Sequence, residues 1–181
     1  MKIITYQAKE VIDILNGSSE YKVTSPNQMK TYNSFQWKYD SFNPFKEVYD
    51  YISDRMKKNI NSADFDDEII APIWGWYKYK SIRKLNNDNK DLYRIELEIE
   101  DDKVLLSDFY IYEDIAVAGP GALIEDEEEL EEFYKLEKLK GKEETYRLYD
   151  QMLDVSKAQY VQATFWKIKK ENIISITKVR K

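Results

Sequence analysis

The stretch PIWGWYKY, residues 72–79, places two tryptophans and two tyrosines around a single glycine. In a β-strand, successive side chains point to opposite faces, so such a strand presents two different surfaces. One face then carries Ile73, Tyr77 and Tyr79, and the other carries Trp74, Trp76 and Lys78. The tryptophan face either fills a core beneath a covering helix or forms one wall of a binding site.

Two other segments divide in the same way. In QYVQATFWK, residues 159–167, apolar side chains alternate with Gln162, Thr164 and Trp166. In the first segment, Thr5 and Gln7 alternate with Ile4 and Tyr6. If the three strands are neighbours and their faces align, the tryptophans share one surface with amide and hydroxyl side chains, which fix the orientation of a ligand without adding charge. The candidate ligand-binding residues are Thr5, Gln7, Trp74, Trp76, Gln162, Thr164 and Trp166, with Asp108 accepting a hydrogen bond near the rim.

The remaining patterns predict strands and helices without regular alternation. Residues 92–100 alternate apolar and polar side chains, which is typical of a half-buried antiparallel strand, and residues 103–109 are predicted to return as its partner. Residues 159–169 and 173–179 are predicted to form a closing hairpin. Helical spacing and end signals predict helices over residues 9–16, 44–60, 110–118, 125–140 and 142–153.

The resulting prediction is a single α+β domain over residues 1–181. Its sheet is mixed or antiparallel, and its helices pack mainly on one face. Residues 18–43 lack a sustained period and are predicted to be a long loop, and residues 119–128 a loop into an acidic helix.

The absence of histidine and cysteine from the sequence restricts the available chemistry. No imidazole base, thiolate nucleophile, disulfide or cysteine-ligated metal is possible, so an enzyme is less expected than a binding protein. No cofactor is expected. The net charge of −6 disfavours nucleic acid as a partner. No membrane span or signal peptide is recognised, which predicts a cytoplasmic protein.

Two acidic stretches have alternative interpretations. Residues 125–132, EDEEELEE, are either a decoy or cation surface or the solvated start of a helix, where acidic side chains are favoured. Residues 64–68, DFDDE, offer oxygen ligands but lack the glycine and the spacing of an EF-hand loop. The structural interpretation is preferred for both, and no metal site is predicted.

Several motifs together resemble a known family. They are ITYQ, FKEVYDYISDRMKKNI, PIWGWY, KVLLSDF and VQATFWKIKKENI, in order from residue 4 to about residue 173. With these motifs the chain resembles the bacterial proteins grouped as domain of unknown function 3841, also met in phages and mobile elements. Where that family usually has tryptophan before the first-strand Thr-x-Gln, this chain has Ile4. The resemblance implies a single-domain fold and no particular mechanism.

Three functions are therefore carried forward. The first is a non-enzymatic binding module that recognises a nucleotide-like small molecule or a partner protein through the Trp, Gln and Thr face. The second is a nucleotide-cofactor transferase resembling ADP-ribosyltransferases, although the expected Arg or His and the late-strand Glu are missing. The third is an acidic phage or mobile-element inhibitor acting through residues 125–132.

Overall fold

A six-stranded antiparallel sheet organises the computed structural model, which describes residues 1–25, 28, 44–59, 64–79 and 92–179. The strands are β1 (Lys2–Ala8), β2 (Glu20–Lys22), β3 (Ile73–Lys78), β4 (Leu92–Glu98), β5 (Leu105–Asp108), β6 (Val161–Phe165), β7 (Lys167–Lys169) and β8 (Ile173–Lys178). The helices include α1 (Lys9–Gly17), α2 (Pro44–Asn59), α3 (Phe109–Ala118), α4 (Glu127–Lys140) and α5 (Lys142–Tyr149).

The strand order of the large sheet is β5-β6-β3-β1-β4-β8, and a second sheet pairs β2 with β7. All of these pairings are antiparallel. The prediction of an α+β domain is confirmed. The three strands whose adjacency was assumed for the tryptophan face, β6, β3 and β1, lie side by side.

The sheet separates two apolar clusters. On the first face, which we call the helical face, Trp74 packs with Ile52 and Met56 of α2, Ile115 of α3 and Tyr149 of α5. The opposite face carries Ile3, Ile73, Ile95 and Phe165, and is covered by Val11 and Leu15 of α1 and by Tyr21 and Ile168 of the small sheet. Helices therefore pack mainly on one face, as predicted, with α1 as the exception.

The predicted pairing of residues 103–109 with residues 92–100 is wrong. β5 pairs with β6 at the far edge of the sheet, where Leu105 lies opposite Thr164. Both edges of β4 are already occupied, by β1 on one side and β8 on the other. A short 3-10 turn, Asp101–Lys103, therefore carries the chain away instead of closing a hairpin.

The predicted closing hairpin is also wrong. The strand breaks at Trp166, after which β7 leaves the large sheet to pair with β2. A 3-10 turn, Lys170–Asn172, then leads into β8, which pairs with β4. The existence of β2 also corrects the predicted loop over residues 18–43, of which residues 26–27 and 29–43 lie outside the described part.

Helix ends account for the acidic stretch at residues 125–132. The Asp126 carboxylate accepts hydrogen bonds from the backbone N–H groups of Glu128, at 2.9 Å, and Glu129, at 3.0 Å. The glutamates that follow occupy the first turn of α4, where the helix dipole favours negative charge. The predicted loop over residues 119–128 contains a 3-10 turn at Pro120–Leu123, and α4 begins at Glu127.

Lysines of the small sheet hold the acidic segment at residues 64–68. Lys22 Nζ lies 2.8 Å from Asp66 Oδ2, and Lys167 Nζ lies 3.2 Å from the same oxygen. Lys169 Nζ lies 2.6 Å from Asp64 Oδ1. Within the described ranges, no group of three or more acidic side chains is arranged to hold a metal ion. The segment is thus tied to β2 and β7 by ion pairs.

Across the described helices, none combines the length and the apolar character needed to span a membrane.

Candidate functional site

A single row of paired residues crosses all six strands on the helical face. Directly opposed residues in antiparallel strands point to the same face, so the register identifies which side chains lie together. The row runs from Ser107 to Gln162, Trp76, Ile4, Glu96 and Ser175, each paired with the next across adjacent strands. We call it the cross-sheet row.

The β5 end of the row contains two buried polar side chains. Ser107 is 0% exposed and Gln162 is 8% exposed. Neither Ser107 Oγ nor Gln162 Oε1 has a hydrogen-bond partner among the described residues. A buried polar atom left without a partner costs about 1–3 kcal/mol, so such atoms are uncommon in folded proteins. These two atoms belong to directly opposed residues of β5 and β6.

Aromatic rings surround the next position of the row. The half-buried Trp76 ring lies 5.1 Å from the Phe109 ring and 6.4 Å from the Tyr79 ring. Contacts of 5.7 Å and 5.4 Å extend this chain of rings through Tyr110 to Tyr160. The register of β3 against β6 shifts immediately after Trp76. Such bulges re-aim side chains and are frequent beside functional sites.

The β4 end of the row is charged. The Glu96 carboxylate forms an ion pair with Arg94, and both side chains are about one-third exposed, at 34% and 30%. Hydrogen bonds from Arg94 and then from Ser175 lower the pKa of Glu96, which keeps it ionised. Burial, followed by the nearby Tyr79, raises the pKa of Tyr6, whose hydroxyl also interacts with Arg94.

The comparison with protein families shows the family of the chain. The family model described as domain of unknown function (DUF3841) matches residues 2–151. The chain belongs to the DUF3841 family. No curated protein and no solved structure matches it. The match covers β1 to β5 of this DUF3841 protein and ends before β6, which carries Gln162.

Three of the predicted site residues in this DUF3841 chain lie in the interior of the helical face. Trp74 is 5% exposed, and its ring packs against Tyr49 and Tyr112 at 5.1 Å and 5.0 Å. Trp166 is 2% exposed and packs against Phe65 at 4.9 Å. The Thr164 hydroxyl donates to the Leu105 carbonyl at 3.1 Å. These contacts make the three residues part of the packing beneath the helices.

Asp108 has a local role at the start of α3. Its carboxylate accepts a hydrogen bond from the Tyr110 backbone N–H at 2.9 Å, which is the geometry of an N-cap. The contact stabilises α3 and thereby positions Phe109 against Trp76. Asp108 therefore supports the aromatic wall.

The expectation that Thr5 and Gln7 share the tryptophan face is wrong. Ile4 pairs with Trp76, which places Ile4 on the helical face and its neighbours in the strand on the other. Thr5 pairs with Ile95, a member of the opposite cluster. Gln7 Nε2 donates to Thr5 Oγ1 at 2.7 Å, so both side chains bond within that face. The alternation within β1 does not predict which of its residues lies opposite Trp76, so it could not assign Thr5 and Gln7 to a face.

Sequence reasoning identified Trp76 and Gln162 but missed the other members of the row. Ser107 precedes the selected Asp108, and only the pairing of β5 with β6 reveals that it lies opposite Gln162. Glu96 and Ser175 sit on strands whose alternation was recognised, yet their position across from Ile4 depends on long-range register. No local signal distinguishes these residues from ordinary solvent-facing strand positions.

Proposed function

We propose that this protein is a non-enzymatic binding module for a flat heteroaromatic ring of the nucleobase kind. The ring would stack on Trp76, with its polar edge toward Gln162 and Ser107. The observation that carries the proposal is the pair of buried, directly opposed polar atoms, Ser107 Oγ and Gln162 Oε1, which lack partners within the described part of the chain.

Hydrogen-bonding chemistry supports this ligand class. A glutamine Oε1 accepts hydrogen bonds, and a serine hydroxyl both donates and accepts. The edge of a nucleobase presents both donors and acceptors, which Gln162 and Ser107 together would match. The Trp76 indole beside them supplies a flat apolar surface, and stacking of a base on an aromatic side chain is worth about 1–3 kcal/mol.

Binding without turnover is supported by what surrounds Ser107. The sequence contains no histidine or cysteine to activate a nucleophile. Ser107 Oγ itself has no hydrogen-bond partner among the described side chains, so no general base is positioned on it. Glu96 is ionised, but it lies three strand spacings from Gln162, the residue opposite Ser107, and is too far away to accept a proton from Ser107 directly. Glu96 is also held in an ion pair with Arg94.

A titration followed by tryptophan fluorescence and thermal shift tests the proposal. The probes are adenine, guanine, cytosine and uracil, with their nucleosides. We expect at least one to change the emission and raise the melting temperature, and Trp76→Ala to abolish both effects. Tyr77→Ala is the matched control, because Tyr77 is the next residue of β3 and is 48% exposed.

Two results would contradict the proposal. The first is the absence of binding by every probe. The second is binding that survives Trp76→Ala and Gln162→Met unchanged. Titration with NAD, followed for release of nicotinamide, examines the transferase alternative separately.

A further inference from the structure

Beyond Trp76, the cross-sheet row continues into Ile4 and Glu96, which the proposed base site leaves without a role. Ile4 is half-buried and pairs with Trp76 on one side and Glu96 on the other. With neighbouring strands about 4.8 Å apart, Glu96 lies roughly 10 Å from Trp76 along the row. A ligand stacked on Trp76 and extending along the row would therefore meet an apolar floor and then a carboxylate.

We propose that the ligand is a nucleoside, whose sugar lies over Ile4 and donates its hydroxyl hydrogen bonds to Glu96. This inference rests on the proposed function, since it needs the base to occupy the Trp76 position. The inference narrows the ligand class from any nucleobase-like ring to a ring that carries a sugar with free hydroxyl groups.

The state of Glu96 favours hydroxyl donors. An ionised carboxylate only accepts hydrogen bonds, and it offers about four lone-pair positions on two oxygens. Arg94 and Ser175 take part of this capacity, and the Glu96 side chain is still about one-third exposed, at 34%. In dinucleotide-binding folds, a carboxylate that accepts a hydrogen bond from a ribose hydroxyl is an established arrangement. Ser175, paired with Glu96 at the row's end, already bonds this carboxylate through its hydroxyl, whose oxygen can still accept a hydrogen bond.

The same geometry argues against a phosphate at this end. Arg94 is the cation bonded directly to the row, and its charge is already matched by Glu96 through an ion pair. The exposed Lys2 on the neighbouring strand also interacts with Glu96. A phosphate placed beside Glu96 would meet like charge, and the whole chain carries a net charge of −6. A phosphorylated nucleoside should therefore gain nothing from Arg94.

Paired titrations test the inference. Adenosine, guanosine, cytidine and uridine are each compared with the 2′,3′-dideoxy nucleoside and the 5′-monophosphate. For any nucleoside that binds, we expect loss of both hydroxyls to weaken binding at least about tenfold, the scale of a charge-assisted hydrogen bond. In Glu96→Gln this difference should shrink to about threefold or less, because an amide oxygen is a weaker acceptor.

Glu98→Gln is the matched control. Glu98 lies two residues further along the same strand, is exposed, and pairs with Lys2, which is not a member of the row. Its substitution therefore removes one charge and leaves the row unchanged. It should keep the full tenfold difference. If Glu96→Gln does not fold, the comparison of nucleoside with dideoxynucleoside on the unaltered protein decides alone.

The outcomes separate this inference from the proposed function. Equal binding of a nucleoside and its dideoxy form, or binding of free bases without nucleosides, overturns the sugar assignment and leaves the base site standing. Tenfold tighter binding of the monophosphate also overturns it, since Arg94 would then bind phosphate. Failure of every base and nucleoside to bind overturns both.

Discussion

The Thr5 hydroxyl donates a hydrogen bond of 2.7 Å to the backbone carbonyl of Trp74, so β1 and β3 are joined by a side chain as well as by their backbones. The same Thr5 oxygen accepts from Gln7 Nε2 at 2.7 Å. Thr5 is fully buried. These two bonds explain why polar side chains lie within an otherwise apolar face.

Thr5→Val should therefore lower the free energy of unfolding by about 1–3 kcal/mol, because the nearly isosteric valine leaves two buried polar groups without their partner. Urea unfolding followed by tryptophan fluorescence measures the change. Thr177→Val, at an exposed position of β8, is the matched control and should be nearly silent. Equal effects of the two substitutions would show that the Thr5 bonds contribute nothing.

Ser107→Ala should separate stability from binding. The hydroxyl is buried and has no partner among the described residues, so its removal should leave the free energy of unfolding unchanged or raise it by up to about 1 kcal/mol. Binding of a ring at Gln162 should weaken at the same time. Thr164→Val is the contrasting variant, since the Thr164 hydroxyl bonds the Leu105 carbonyl and its loss should destabilise the fold. A clear destabilisation by Ser107→Ala would mean that the hydroxyl has a structural partner.

Gly75→Ala should destabilise the sheet by roughly 1–3 kcal/mol, the usual cost of overpacking. An added Cβ would lie 2.7 Å from Ile3 Cγ2 and 3.0 Å from the Ile4 carbonyl oxygen. Gly17→Ala is the control, because a Cβ at Gly17 would meet no atom within 4 Å. Thermal unfolding of the two variants gives the comparison, and a Gly75→Ala protein as stable as Gly17→Ala would contradict this packing.

Asp108→Ala should cost about 1 kcal/mol, as is typical when an N-cap is removed. Loss of the cap should also loosen Phe109, the ring that contacts Trp76, and so weaken binding at the candidate site. Asp114→Ala, at an exposed position inside α3, removes the same charge without a cap. Identical melting temperatures for the two variants would show that the Asp108 cap is not stabilising.

The ion pairs of Asp66 should make stability depend on acid and salt. Hydrogen bonds from Lys22 and then from Lys167 lower the pKa of Asp66 in the folded protein. Because the pKa of Asp66 is lower in the folded than in the unfolded protein, its ionised form stabilises the fold at every pH above the unfolded-state pKa of about 3.9. This stabilisation is lost as the pH falls through the lower, folded-state pKa.

Asp66→Asn should thus reduce the melting temperature at pH 7 and flatten its decline below about pH 4. The difference from the unaltered protein should shrink in 1 M salt, because exposed charges are screened. Asp67→Asn is the control, since Asp67 is the exposed neighbour with the same charge. A salt-independent difference would show that the ion pairs are not its cause.

Local patterns were sufficient for most elements of this fold. The apolar spacing of α2 and the alternation along β4 both predicted the observed structure, because each pattern repeats over several turns or residues. The adjacency of β6, β3 and β1 is observed, but it had only been assumed, because alternation within each strand does not say which strands pair.

Pairing between distant strands was not predictable in the same way. Sequential strands usually pair, which favoured a β4–β5 hairpin and a closing hairpin that do not exist. A shift of one residue in register moves every side chain to the other face, and alternation alone does not fix that register. This is why Thr5 and Gln7 were assigned to the wrong face, and why Ser107 and Glu96 were overlooked.

The position of β6 has a consequence for any shortened version of the protein. The family match ends at residue 151, but β5 has β6 as its neighbour in the sheet, and β3 lies between β6 and β1. A chain stopped at that boundary would lose Phe165 and Ile168 from one apolar cluster and Trp166 from the other. It would also expose a long, aromatic strand edge, a known template for aggregation. The span shared with the family is therefore shorter than the unit that folds, and the final strands belong in every expression clone.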